Sequence, residues 1–142
     1  MSLLLASCAA VLASVGTYLV LQRKLSRIVV SGKARIINNG SDLYGAAINA
    51  EGRVTLTDNA VISGNTNTNN RGAVEIYGYD DQPVSFTMKG NARIKGNTSA
   101  AGGAGLVIWT SCGSVPVVKG ITGRVINNTP KNVKKITSAA EC

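Results

Sequence analysis

Residues able to carry chemistry are scarce in this chain and narrow in type. Its 142 residues include no histidine, seven carboxylates and three cysteines. Without histidine, neither a Ser-His-Asp nor a Cys-His nucleophile can be assembled, and His-based zinc sites are excluded. Carboxylate chemistry is what remains, carried by Asp42, Glu51, Asp58, Glu75, Asp80, Asp81 and Glu141. A glycosidase takes two carboxyl groups roughly 5–9.5 Å apart. Asp58 aligns with Gly32 and Gly90 in the repeats described below, so it reads as a turn residue. Asp80 and Asp81 sit in Tyr-Asp-Asp-Gln-Pro, ordinary turn chemistry, which Glu75 could approach. The trio reads first as a solvated loop and second as a calcium or catalytic site. No catalytic residue, metal or cofactor is assigned. Cys8, Cys112 and Cys142 match no metal motif and form no Cys-x-x-Cys. Cys112 with Cys142 is a disulfide candidate for an oxidising compartment, and free thiols are the equal alternative. Gly102-Gly103-Ala104-Gly105 reads as a chain corner, not a phosphate loop.

The cations are the better candidates. Fifteen Lys and Arg against seven Asp and Glu give a net charge of +8. Such a surface attracts nucleic acid, anionic polysaccharide or anionic lipid head groups. Aromatics are only 4% of the chain and no run of five basic residues occurs, which disfavours nucleic acid. Arg35, Arg93 and Arg124, flanked by Lys33 and Lys95, occupy equivalent repeat positions. As a stripe they would suit carboxylate- or sulfate-bearing glycans, because guanidinium pairs bidentately with such groups. The plainer reading is a solvated face. Trp109 and Tyr77 are candidates for stacking on sugar rings, or else for packing under a loop.

The elements that position these side chains are repeats. Gly32-Lys-Ala-Arg-Ile-Ile-Asn-Asn39, Asp58-Asn-Ala-Val-Ile-Ser-Gly-Asn65, Gly90-Asn-Ala-Arg-Ile-Lys-Gly-Asn97 and Ile121-Thr-Gly-Arg-Val-Ile-Asn-Asn128 are variants of one motif. Their closing asparagines lie 26, 32 and 31 residues apart, a spacing that signals a solenoid. Each repeat divides into three strand-like pieces. The first alternates, as in Val54-Thr-Leu-Thr and Phe86-Thr-Met-Lys, which sends Val54, Leu56, Phe86 and Met88 inward. The second is the motif itself, with Ala34, Ile36, Ala60, Ile62, Ala92, Ile94, Gly123 and Val125 inward. The third follows a glycine and carries Ile48, Ile76 and Ile108 inward. Asn39, Asn65, Asn97 and Asn128 share one corner, where stacked amides form a structural ladder. Insertions at Asn67–Arg71 and Tyr77–Pro83 lengthen two corners, and solenoids often bind on the face that carries insertions.

The N-terminus admits three readings. Leu3 to Leu21 carries no charge and is long enough for a membrane span or signal. However, the cations Arg23, Lys24 and Arg27 follow the apolar run instead of preceding it. Leu5-Ala-Ser-Cys8 has the form of a lipoprotein signal, which makes Cys8 a lipidation candidate. Gly16-Thr-Tyr-Leu-Val-Leu matches the Gly-led third strands, and this third reading is favoured. The expected organisation is therefore an apolar cap or a signal or anchor remnant at 1–15, the repeat domain at 16–133 and a tail or cap at 134–142.

Val54-Thr-Leu-Thr-Asp-Asn-Ala-Val-Ile-Ser-Gly-Asn-Thr with Arg-Gly-Ala-Val-Glu-Ile, and Phe86-Thr-Met-Lys-Gly-Asn-Ala-Arg-Ile-Lys-Gly-Asn-Thr with Gly-Gly-Ala-Gly-Leu-Val-Ile, resemble right-handed parallel β-helix repeats. More narrowly, they resemble those of bacterial surface proteins of the polymorphic outer-membrane protein and adhesin-like type. The resemblance covers about residues 28–129. It implies an all-β, right-handed parallel β-helix of four to five short rungs, secreted or held at the cell surface. It also implies a non-enzymatic scaffold or adhesin, with a carbohydrate-binding or polysaccharide-lyase-like β-helix as the alternative. The expected partners are a second copy stacked end to end, or an anionic polysaccharide or cell surface. A membrane is expected only through the N-terminal segment.

Overall fold

The computed structural model describes residues 2–4, 11–13, 19–21, 27–78, 83–111 and 114–138. They are all β, with no helix among them. Five successive stretches of chain each give one main strand to each of three sheets. The first supplies β1 (Ser2–Leu4), β2 (Val11–Ala13) and β3 (Leu19–Leu21). The second supplies β4 (Arg27–Val30), β5 (Arg35–Ile37), the two-residue β6 (Gly40–Ser41) and β7 (Ile48–Ala50). The third supplies β8 (Arg53–Leu56), β9 (Val61–Ser63), β10 (Thr66–Asn67) and β11 (Val74–Gly78). The fourth supplies β12 (Ser85–Met88), β13 (Arg93–Lys95) and the long, bent β14 (Thr98–Ser111). The fifth supplies β15 (Val117–Lys119), β16 (Val125–Ile126) and β17 (Thr129–Ser138).

Strand order follows chain order. One sheet runs β1-β4-β8-β12-β15 and the second runs β2-β5-β9-β13-β16. The third contains β3-β7-β11-β14, with β17 on the outer side of β14 and the short β10 and β6 completing its edge. Every strand-to-strand ladder is parallel, for example Ile28↔Val54 and Val54↔Phe86. A strand thus pairs with its counterpart one repeat away, and the repeats stack.

Alternation decides the core. Val54, Leu56, Phe86 and Met88 are buried, while Thr55 and Thr87 between them stay partly accessible. Ile36, Ala60, Ile62, Ala92, Ile94 and Val125 fill the second sheet's inner face, and Ile48, Ile76 and Ile108 fill the third's. Burying each such aliphatic side chain contributes roughly 1.5–3 kcal/mol. With little aromatic volume to place, Ile and Val stack in columns around Phe86, the chain's single phenylalanine.

Two corners carry a left-handed backbone in repeat after repeat. Gly32, Asp58 and Gly90 have φ of 66°, 59° and 56°, and the Asp58 carboxylate accepts the Gly32 N–H at 2.8 Å. Asp58 is therefore a turn residue. Asn38, Gly64, Gly96 and Asn127 have φ of 57°, 67°, 62° and 54°. Glycine and asparagine are the residue types that tolerate this region.

Each of these last four precedes a ladder asparagine. Asn39 donates through both its backbone N–H and its Nδ2 to Asn65 Oδ1, each at 3.0 Å. Asn65 does the same to Asn97 Oδ1 at 3.0 and 2.9 Å, and Asn97 to Asn128 Oδ1 at 3.0 and 2.8 Å. Remaining amide hydrogens reach carbonyls, including Ile36, Ile62 and Ile94. All four asparagines are buried and satisfied, as buried amides must be. Asn39 and Asn97 also head Asn-x-Ser triplets, but their side chains are enclosed in this column.

The ladder ends within the fifth repeat. Asn128 donates through its backbone N–H and Nδ2 to Asn132 Oδ1, at 2.9 and 3.2 Å. Asn132 thus stands where a sixth repeat would present its asparagine. β17 cuts this corner short: Thr98↔Thr129 is followed by Gly103↔Lys131 and Leu106↔Val133. The inward column Ile76, Ile108 ends in exposed Lys135.

Strands pair at both ends of the described fold, before residue 16 and after residue 133. Ser2–Leu4 and Val11–Ala13, within the stretch read as a cap or a signal or anchor remnant, form parallel ladders with β4 and β5. Leu3↔Ile28 and Leu12↔Ile36 are in register, so the first repeat reaches all three sheets, not the third alone. At the other end β17 continues past 133 to Ser138, because β14 offers a partner along that length. Cys8, Cys112, Cys142, Asp80 and Asp81, the lipidation, disulfide and loop-carboxylate candidates, lie outside the described residues.

Candidate binding surface

The basic stripe forms on the outer face of the second sheet. Arg35, Val61 and Arg93 are in register, and the β13–β16 pairing places Arg124 beyond Arg93. Parallel pairing brings such residues to neighbouring strands about 4.8 Å apart. Arg35, Lys33 and Lys95 are exposed, whereas Arg93 and Arg124 are half-buried. Arg93 spends Nη1 on the Ala92 carbonyl at 3.0 Å. Arg124 spends Nε on the Gly90 carbonyl at 3.0 Å and Nη1 on the Gly120 carbonyl at 2.9 Å. Two of the three guanidinium groups are thus engaged in bracing corners.

A more organised group lies on the outer face of the third sheet. Tyr77 and Trp109 are register partners, with ring centroids 6.0 Å apart and planes tilted by 32°. The Arg71 guanidinium lies over the Trp109 ring, 4.5 Å from its centroid. Arg71 Nη1 also bonds Glu75 Oε1 at 2.6 Å. Glu75 is 1% exposed, because the corner before β7 passes over it: Gly45 lies against the Glu75 backbone and donates its N–H to Oε2 at 3.1 Å. A methyl group at Gly45 would collide with the Ile48 carbonyl and crowd the Glu75 backbone nitrogen, so this corner requires glycine.

Burial pushes the Glu75 carboxyl above the ordinary carboxylate range. The Arg71 hydrogen bond and charge, and the Gly45 N–H, pull in the other direction. The Trp109 indole N–H lies beside the same carboxylate and adds a small lowering influence. It is buried and outside hydrogen-bond geometry with any partner among the described residues.

The Asn67–Arg71 insertion shapes the loop beside this group. Asn67 Oδ1 accepts the N–H groups of Asn69 and Arg71 at 2.9 and 2.8 Å, and its Nδ2 bonds the Tyr44 carbonyl at 2.6 Å. Asn70 takes φ of 63°. The fixed turn and β17 together border an open cleft of about 440 Å³, lined by Asn69, Asn70, Arg71, Trp109, Lys134, Lys135 and Ile136.

The sequence reading placed Tyr77 and Trp109 together and pointed to the Asn67–Arg71 corner. Its view of Glu75 as part of a solvated acidic loop is corrected: Glu75 is enclosed, and its partner is Arg71. Arg71, Lys134 and Asn132 were missed. A four-residue separation across a turn and strand carries no sequence signal, and Lys134 reaches the cleft only through pairing between repeats.

Among the described residues no group of three or more His, Cys, Asp or Glu could hold a metal ion, and no helix is long and apolar enough to cross a membrane. Comparison with protein-family models, curated proteins and solved structures finds no match to this chain.

Proposed function

We propose that this chain is a right-handed parallel β-helix of the bacterial surface and adhesin-like type, a non-enzymatic extracellular scaffold that holds acidic polysaccharide. One observation carries the reading. The stacked strands spend their interior on aliphatic and asparagine columns and leave cations on two outer faces. The buried carboxylate, Glu75, is enclosed and ion-paired, so it is poorly placed to meet a substrate. The sequence resemblance supports the surface assignment and the handedness.

End-to-end stacking through the C-terminal edge is disfavoured. That edge carries Pro130, Lys131, Lys134 and Lys135, the residue types that protect edge strands, and its ladder is closed by Asn132. Head-to-tail association, which requires this edge, should therefore be absent in light scattering across a concentration series.

The test of function is co-sedimentation of the purified protein with insoluble acidic and neutral polysaccharides, with release of soluble sugar measured in parallel. Retention on the acidic material without sugar release is expected. Sugar release abolished by Glu75→Gln or Asp58→Asn would overturn the non-enzymatic reading.

A further inference from the structure

We propose that the cleft between the Asn67–Arg71 turn and β17 is a binding site for a uronate unit, a pyranose ring bearing a carboxylate, within an extended acidic glycan. The inference rests on the polysaccharide reading above and names the site and the chemistry.

Its volume, about 440 Å³, falls in the range of ligand sites, and it is open, which suits one unit of a longer chain more than an enclosed small molecule. Trp109 supplies an aromatic surface that is only half-buried. Aromatic rings of this kind bury the apolar face of a sugar ring at low entropic cost. Arg71 is fixed in advance. Glu75 holds it at 2.6 Å, Gly45 holds Glu75, and the Trp109 ring lies beneath the guanidinium. A side chain already ordered loses little freedom on binding.

Since Arg71 is neutralised by Glu75, net charge for an anion comes from β17. Register places Lys134 in the column of Glu75 and Val107, two repeats from Glu75, on the outward side. Among the described residues Lys134 pairs with no carboxylate. Its side chain lies along Gly102, where an added methyl group would meet its Cδ and Nζ at 2.7 Å. Close approach of the lysine stem therefore depends on glycine at that corner. Asn69 and Asn70 contribute amides suited to sugar hydroxyl groups. Together these supply a ring surface, a cation for the carboxylate and polar groups for hydroxyls.

Trp109 is the chain's single tryptophan, so its emission reports directly on the cleft. The experiment titrates the full chain with oligogalacturonate, dextran sulfate and neutral dextran, following that emission at fixed ionic strength. A saturable change with oligogalacturonate is expected, with none for dextran. Lys134→Ala should weaken it by tenfold or more, and Lys119→Ala, an exposed lysine on the first sheet, should leave it unchanged. Trp109→Phe should retain binding in calorimetry, and Trp109→Ala should lose it while the circular dichroism spectrum is preserved. Three outcomes overturn the site: no emission change, equal binding of dextran sulfate, or equal weakening by Lys119→Ala and Lys134→Ala. If oligogalacturonate binds calorimetrically while Trp109 emission stays silent, the polysaccharide reading stands and this site does not.

Discussion

Asn97→Ala is the most demanding test of how the repeats are held together. The Asn97 side chain accepts from the Asn65 N–H and Asn65 Nδ2 at 3.0 and 2.9 Å. It donates to Asn128 Oδ1 and the Ile62 carbonyl at 2.8 and 3.2 Å. Alanine removes all four bonds and orphans the backbone N–H of Asn65, which is 0% exposed, while Asn65 Nδ2 keeps the Ile36 and Ser63 carbonyls. A buried group left without a partner costs about 1–3 kcal/mol and each further bond lost about 0.5–1.5 kcal/mol, so the expected loss is about 3–5 kcal/mol. That is a large part of the roughly 7–20 kcal/mol expected for a domain of this length at about 0.05–0.15 kcal/mol per residue. At about 2–4 °C per kcal/mol, the midpoint should fall by roughly 6–20 °C. Asn132→Ala is the internal control. It also removes an acceptor for two donors, those of Asn128, but Asn132 is exposed and water can take its place. Its cost should stay near 1 kcal/mol. Asn97→Asp should fail as badly as alanine. It keeps the acceptor but loses the donor and puts a buried charge against Asn128 Oδ1 and the Ile62 carbonyl. The assay is thermal and urea unfolding followed by far-UV circular dichroism. Equal losses for Asn97→Ala and Asn132→Ala, or a stable Asn97→Asp variant, would refute the claim that satisfied, directional amides hold the stack.

Further expectations follow from the same geometry. Because burial raises the Glu75 pKa, the folded chain holds this proton more tightly than the unfolded one. Stability from this group is therefore fully present below the ordinary glutamate range and is lost as pH rises from there through the folded-state value. Unfolding as a function of pH should show that decline, and Glu75→Gln should flatten it; an unchanged slope would contradict the assignment. Phe86→Ala empties the centre of the core and should cost about 3–5 kcal/mol, read as a lower urea midpoint. Two glycines with similar φ separate crowding from backbone strain. A methyl group at Gly120 would strike the Met88 carbonyl, whereas at Gly96 it would meet nothing within 4 Å. Gly96→Ala should therefore cost only the left-handed penalty of about 1–2 kcal/mol, and Gly120→Ala clearly more; equal costs would show that the corner relaxes.

What the sequence by itself determined here is everything periodic. A recurring Ala-x-Ile-x-x-Asn spacing fixes which side chains share a column, so the inward Ile and Val residues, the asparagine ladder and the Arg93–Arg124 neighbours were all legible. Left-handed corners were legible too, since glycine, asparagine and aspartate are the residues that tolerate them. Tertiary structure alone decided the features that break the period. Glu75 was not legible as a buried ion pair, because its burial comes from Gly45 of the preceding repeat crossing over it. Asn132 became the ladder's terminus only because β17 shortens a corner. The cleft joins a loop at 69–71 to β17 at 134–136 across the intervening repeat, and its residues meet because parallel stacking converts a separation of some sixty positions into two strand spacings, about 10 Å.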